Sequence, residues 1–174
     1  MLLQNRTLTL FGEINQDVAR RMAEKLLALA FESDDPITLY IGSPGGHVES
    51  GDTIFDLIRY IKPEVRIIGT GWVGSIATHI YLAADKDNRF ALPNTRFLIH
   101  QPSGGFGGDA ADIEIHAREI LKTRERINGI IAERTGQSVE RVSEDTQRDY
   151  WMSAEESVEY GLVGKIINDI SEVG

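Results

Sequence analysis

No cysteine occurs among the 174 residues, which excludes disulfide bridges, thiolate nucleophiles and cysteine-ligated zinc. Positive charge is scarce. Eighteen Lys and Arg stand against 27 Asp and Glu, a formal net charge of -9, so the phosphates of a nucleic acid would be repelled rather than gathered. No apolar run is long enough to cross a bilayer, and the opening Met1-Leu2-Leu3-Gln4-Asn5-Arg6 lacks the apolar stretch of a signal peptide. The expectation is a soluble cytoplasmic protein. The chain also lacks a G-x-x-x-x-G-K-[ST] loop, so nucleotide hydrolysis has no visible seat here. There is no low-complexity stretch and no Pro/Ser-rich linker, which argues for one domain over residues 1–174.

What is present is ordinary for a globular chain, with 41% hydrophobic and 26% charged residues. A chain of this length buries about 70% of its unfolded surface as one domain. Hydrophobic spacing predicts a strand over Thr7 to Leu10 and a helix over Asp17 to Phe31, with Val18, Met22, Leu26 and Leu29 on one side. Ile37 to Ile41 reads as a strand ending in a Pro-Gly-Gly turn, and Val48 to Ile61 as a helix stopped before Pro63. Val65 to Ile68 is a strand and Ser75 to Ala84 an apolar, buried helix; Arg89 to Leu92 and Thr95 to Ile99 are extended. Asp109 to Arg134 is one long helix ended by Thr135-Gly136, and Ser153 with Glu156 forms a capping-box pattern on a short helix closed by Gly161. Strands alternating with helices argue for an α/β fold with a largely parallel sheet.

Two stretches carry the chemistry: Val73-Gly74-Ser75-Ile76-Ala77 and Phe97-Leu98-Ile99-His100-Gln101-Pro102. The first sets a serine at a strand-to-helix junction. Serine favours such positions for backbone capping alone, yet a nucleophile there lies beside free N–H groups that can receive an oxyanion. A serine hydroxyl needs a base, and the base needs an orienting group. His47, His79, His100 and His116 compete as base, with His79 one turn after Ser75 and His100 at a strand end. Asp149 can serve as the third group, but the residues alone do not separate it from Asp145. Gly69-Thr70-Gly71-Trp72-Val73-Gly74 fits a dinucleotide fingerprint, yet no acid follows at the ribose-binding distance. We reject it.

Several further segments resemble the ClpP family, the proteolytic subunits of the Clp protease, nearly from end to end. They are Tyr40-Ile41-Gly42-Ser43-Pro44-Gly45-Gly46, Leu92-Pro93-Asn94-Thr95 running into Ile99-His100-Gln101-Pro102, Asp112-Ile113-Glu114-Ile115-His116-Ala117-Arg118-Glu119-Ile120-Leu121, and Met152-Ser153-Ala154-Glu155-Glu156 with Glu159-Tyr160-Gly161-Leu162. The resemblance implies a crotonase-like fold of repeated β-β-α units, with a protruding handle helix near 109–134. It implies a serine endopeptidase with Ser75, His100 and Asp149 as triad and the N–H groups of Gly46 and Ile76 as oxyanion hole. It places a substrate-pairing strand at Gly104, Gly105 and Phe106. No cofactor and no metal are implied. The implied partners are unfolded polypeptides, an AAA+ unfoldase ATPase, and further copies of the chain in heptameric rings stacked in pairs.

The chain departs from the family pattern at several positions. Gly74-Ser75-Ile76-Ala77 stands where Ala-Ser-Met-Gly is usual, so the primary pocket is reshaped by a β-branched side chain. Gln147 stands where many relatives pair an acid with the arginine matching Arg148, a pair that joins the two rings. Thr38 replaces an aromatic residue associated with docking the ATPase, and the chain begins late relative to the family's axial segment. Two rival readings follow: a regulatory ClpP paralogue working in mixed rings, and a crotonase-type acyl-CoA enzyme.

Overall fold

The computed structural model describes residues 1–104 and 107–173. Five parallel strands run β1-β2-β3-β4-β7: β1 (Thr7–Phe11), β2 (Ile37–Ser43), β3 (Val65–Gly74), β4 (Arg89–Ala91) and β7 (Lys165–Ile166). β2 alternates buried and half-buried residues along its whole length, the period-two pattern of a strand with one face on the core. Strand β3 is longer than its apolar run predicts, because it serves two partners. Its first part pairs with β4 from Ile67 to Gly69, and its second with β5 (Arg96–Ile99) from Trp72 to Gly74. The Gly-rich stretch 69–74 is therefore strand, not the phosphate-binding turn of a dinucleotide fold. The last strand, β6 (Tyr150–Met152), adds antiparallel to β5.

Helix α1 (Gln16–Glu32) buries Ala19, Met22, Leu26 and Leu29 and starts at Asn15, whose side chain accepts from Val18 N at 2.9 Å. Helix α2 (Val48–Tyr60) lays Ile54, Phe55 and Ile58 on the same core. Helix α3 (Ile76–Tyr81) is shorter than the apolar run through Ala84 suggests. Leu82 N reaches His79 O as well as Thr78 O, and Ala83 N bonds Ile80 O. The helix tightens and ends while the residues after it stay buried, and periodicity cannot find an end inside a fully buried segment.

The handle helix α4 (Ala110–Thr135) is capped by Asp109 and ends in a left-handed Gly136. Its buried residues, Ile127, Asn128, Ile131, Ala132 and Thr135, all lie in the last three turns, so the N-terminal half stands clear of the core. Helix α5 (Val139–Asp145) and β6 have no legible pattern in the sequence. Helix α6 (Ala154–Tyr160) carries the expected capping box, with Glu156 N donating to Ser153 Oγ at 3.1 Å and Ser153 N to Glu156 Oε2 at 2.8 Å. Among the described residues no helix is long and apolar enough to cross a membrane.

Candidate active site

Ser75 sits between β3 and α3 with φ of 56° and ψ of −127°, a backbone region that non-glycine residues seldom occupy and that is retained where surroundings impose it. Its N–H is held by Leu98 O at 2.9 Å, and Thr78 Oγ1 locks the same turn to Val73 O and Leu98 O. The sharp turn lifts the hydroxyl clear of the sheet.

The base arrives through β5. Pairing of Gly74 with Leu98 sets the end of β5 beside the nucleophile, and His100 Nε2 lies 2.8 Å from Ser75 Oγ. The acid arrives through β6. The antiparallel register pairs Phe97 with Met152, Leu98 with Trp151 and Ile99 with Tyr150, and continuing it one place sets His100 opposite Asp149. His100 Nδ1 is 3.2 Å from Asp149 Oδ1. Two further bonds fasten these segments, Gln101 N to Thr146 O at 2.7 Å and Gln101 Nε2 to Gln147 O at 3.1 Å. Thr146 is itself fully buried and bonded to Asn128 of α4. Asp149 remains 63% exposed, against 27% for His100.

The loop Ser43-Pro44-Gly45-Gly46 passes directly over the nucleophile. A Cβ built on Gly45 would lie 2.7 Å from Ser75 Cβ and 3.1 Å from Ile76 N, and one on Gly46 would lie 2.2 Å from Ile14 O. Both residues have positive φ, so only glycine passes here without strain. Ile14 holds the loop in place, donating to Gly45 O at 2.9 Å and accepting from His47 N at 2.8 Å. Among the described residues no hydrogen bond occupies the N–H of Gly46 or of Ile76. Both N–H groups are thus left to receive another acceptor, as a donor to a developing oxyanion must be.

The other histidines go elsewhere. His47 precedes α2 and contacts Ser50 Oγ at 2.7 Å and Glu49 at 3.1 Å. His116 lies on the exposed half of α4 and lines, with Gly46, Gly104 and Glu119, a groove of about 400 Å³. His79 is 2% exposed, stacks on Phe55 with ring centroids 4.2 Å apart, and approaches Asp52 Oδ1 at 3.2 Å. Gly104 borders the groove, while Gly105 and Phe106 lie outside the described residues. Gln147 and Arg148 are both exposed. Among the described residues no three His, Asp or Glu side chains are grouped to hold a metal ion.

The chain is similar to known proteins over nearly its whole length. Residues 1–169 match the family model described as Clp protease. The ATP-dependent Clp protease proteolytic subunit 3 of Rhizobium etli is 54% identical over 99% of this chain and 89% of that protein. The proteolytic subunit 2 of Pseudomonas aeruginosa is 53% identical over 98% of this chain and 85% of its own length. Among solved structures, ClpP1 from Listeria monocytogenes superposes with a TM-score of 0.91 at 51% identity, covering 99% of this chain and 97% of that one. A mutant form of the same ClpP1 superposes with a TM-score of 0.94 over the same shares of the two chains.

Proposed function

This chain belongs to the Clp protease family and is a serine-type endopeptidase subunit, and on that premise we propose that Ser75, His100 and Asp149 are its catalytic triad. The observation that carries the assignment is the His100 imidazole, 2.8 Å from the Ser75 hydroxyl on one side and 3.2 Å from the Asp149 carboxylate on the other. Ser75 Oγ attacks the scissile carbonyl while His100 Nε2 takes its proton, and the C–N bond then breaks as His100 returns that proton to the leaving amine. Asp149 holds Nδ1–H of His100 and stabilises the imidazolium without taking the proton itself. The N–H groups of Gly46 and Ile76 receive the oxyanion. Water, activated by the same imidazole, releases the acyl group from Ser75. The crotonase-type acyl-CoA reading has no use for this activated hydroxyl, and the comparisons give it no support.

The substrates are unfolded polypeptides lying extended in the groove between the Gly46 loop and α4, with Gly104, Gly105 and Phe106 pairing with their backbone. The chain acts as a single domain of residues 1–174, in the cytoplasm, within two stacked heptameric rings. The free half of α4 exposes Ile113, Ile115 and Leu121, apolar surface that a second copy would cover. Gln147 and Arg148 lie at the ring-to-ring contact. The relatives are numbered proteolytic subunits 2 and 3, which supports mixed rings with a paralogue as a second mode of assembly. A separate AAA+ unfoldase supplies the unfolding work.

The test compares two substrates. Short fluorogenic peptides are cut without nucleotide, whereas a folded, degradation-tagged fluorescent protein is lost only with an AAA+ unfoldase and ATP. A folded substrate lies about 5–15 kcal/mol below its unfolded state, so few molecules offer a free chain unaided. Rapid loss of fluorescence with the purified protein alone would contradict the chambered reading.

A further inference from the structure

Both tryptophans of the chain, Trp72 and Trp151, lie together on the surface. Their ring centroids are 5.6 Å apart, with the planes tilted by 39°, a separation at which aromatic pairs attract. The guanidinium carbon of Arg96 lies 4.5 Å from the centroid of the Trp151 ring, close enough for a cation–π contact. Strand register explains the meeting. Trp72 pairs with Arg96 across β3 and β5, and Trp151 stands opposite Leu98, one diagonal place from Arg96, where a long side chain can still reach. All three residues project from one face of the sheet, while Val73, Phe97 and Met152 on the other face are buried in the core.

The three strands joined in this way are the three that carry the triad. Trp72 precedes Ser75 by three residues along β3, Arg96 precedes His100 by four along β5, and Trp151 follows Asp149 by two along β6. The most weakly attached of these strands is β6. It is three residues long and buries only Met152. Among the described residues the Asp149 carboxylate has no hydrogen bond or ion pair other than the one to His100. Asp149 therefore stands wherever the placement of β6 puts it. Met152 holds that strand on the core side, and Trp151 holds it on the outer side, under Arg96. At the other end of the cluster, the Trp72 indole folds along β3 over Gly74, since a Cβ on Gly74 would lie 2.6 Å from Trp72 Nε1. Gly74 leads directly into the strained turn at Ser75.

Resting on the triad assignment above, we propose that Trp72, Arg96 and Trp151 are positioning residues for the triad, a clamp on the outer face of the sheet that fixes β6 against β5 and so Asp149 against His100. A displacement of about 1 Å in a catalytic group costs about a hundredfold in rate, so a modest contact matters when it sets that geometry. Trp72 is 44% exposed and Trp151 38%, so either can be replaced without opening the core.

The test uses the assembled protein and a short fluorogenic peptide. Trp151→Leu should lower kcat about tenfold and leave KM within about twofold, because the loss falls on transition-state geometry rather than on peptide binding. Arg96→Met should act in the same direction, and Arg96→Lys, which keeps a cation over the ring, should recover most of the rate. Arg96→Met should also shift the intrinsic fluorescence, since both tryptophans sit in the cluster. The comparison that decides repeats Trp151→Leu in an Asp149→Asn background, where it should cost less than about twofold, because a clamp acting through Asp149 has nothing left to align. A loss that adds in full in that background, or a kcat unmoved in folded Trp151→Leu, would overturn the clamp and leave the peptidase standing. Should Trp151→Leu not fold, Arg96→Met in the same two backgrounds decides in its place. A wild-type protein that cuts no peptide would overturn the triad reading itself.

Discussion

Each member of the triad reaches the site in a different environment, and the variants should differ accordingly. His100 is the only imidazole within reach of Ser75 Oγ among the described residues, so His100→Ala should cost about 10³-fold or more in kcat/KM on a peptide substrate. Asp149 is 63% exposed, and water screens its charge and partly replaces it. We expect Asp149→Asn to cost less than His100→Ala, by about tenfold or more. Equal losses in steady-state assays of the two variants would show that Asp149 does more than orient. Ser75 was legible as a candidate at a strand-to-helix junction, and His100 at a strand end once the family resemblance set it above three other histidines. Asp149 was not, since Asp145 sits in the same charged run. The fold separates them: Asp145 Oδ2 accepts from Arg141 Nε at 2.7 Å and from Tyr160 Oη at 2.9 Å, and so is committed away from His100. Burial, with the bond to Asp145, pushes the Tyr160 hydroxyl well above its ordinary value, so it stays a donor to that carboxylate.

At the scale of elements, hydrophobic spacing found every long helix and the extended segments that become β1 to β5, and it missed α5, β6 and β7. The reason is physical. β6 is three residues long with only Met152 buried, and its existence depends on the edge offered by β5 rather than on any local pattern. The missed strand is the one that carries Asp149 to His100. The helices are bolted together by a polar cluster that local patterns also conceal. Asp52 of α2 meets His79 of α3 and Arg126 of α4. Partial burial works to raise the Asp52 pKa, but the contacts from His79 and Arg126 outweigh it and hold the group at about 2, below its ordinary 3.8. A carboxylate depressed in the folded state contributes stability fully above its unfolded pKa and loses it as pH falls through the folded one. Discounted for solvent screening at its open edge, the cluster should add about 1 kcal/mol at neutral pH and fade between about pH 4 and pH 2. Urea titrations of wild type and Asp52→Asn should show a stability gap at pH 7 that closes as the pH falls toward 2. A gap independent of pH would assign the effect to packing instead.

For the whole molecule, the central question is whether a ready triad is presented inside an assembly. Gln147 and Arg148 are exposed in the single chain, as residues must be that are to meet another ring. A glutamine offers arginine only a neutral partner, and charge-assisted hydrogen bonds are roughly twice as strong. The deficit recurs in every subunit, so Gln147→Glu should shift the balance toward paired rings in analytical ultracentrifugation at matched concentration. A wild-type assembly already resistant to dilution and salt, with no gain from the variant, would remove Gln147 from that contact. The most direct measurement of the account is native mass spectrometry of the assembled protein after treatment with a fluorophosphonate, followed by peptide mapping. We predict one adduct per subunit, located on Ser75 and abolished in Ser75→Ala. An adduct on any other serine, or an intact assembly that takes up no label, would contradict it.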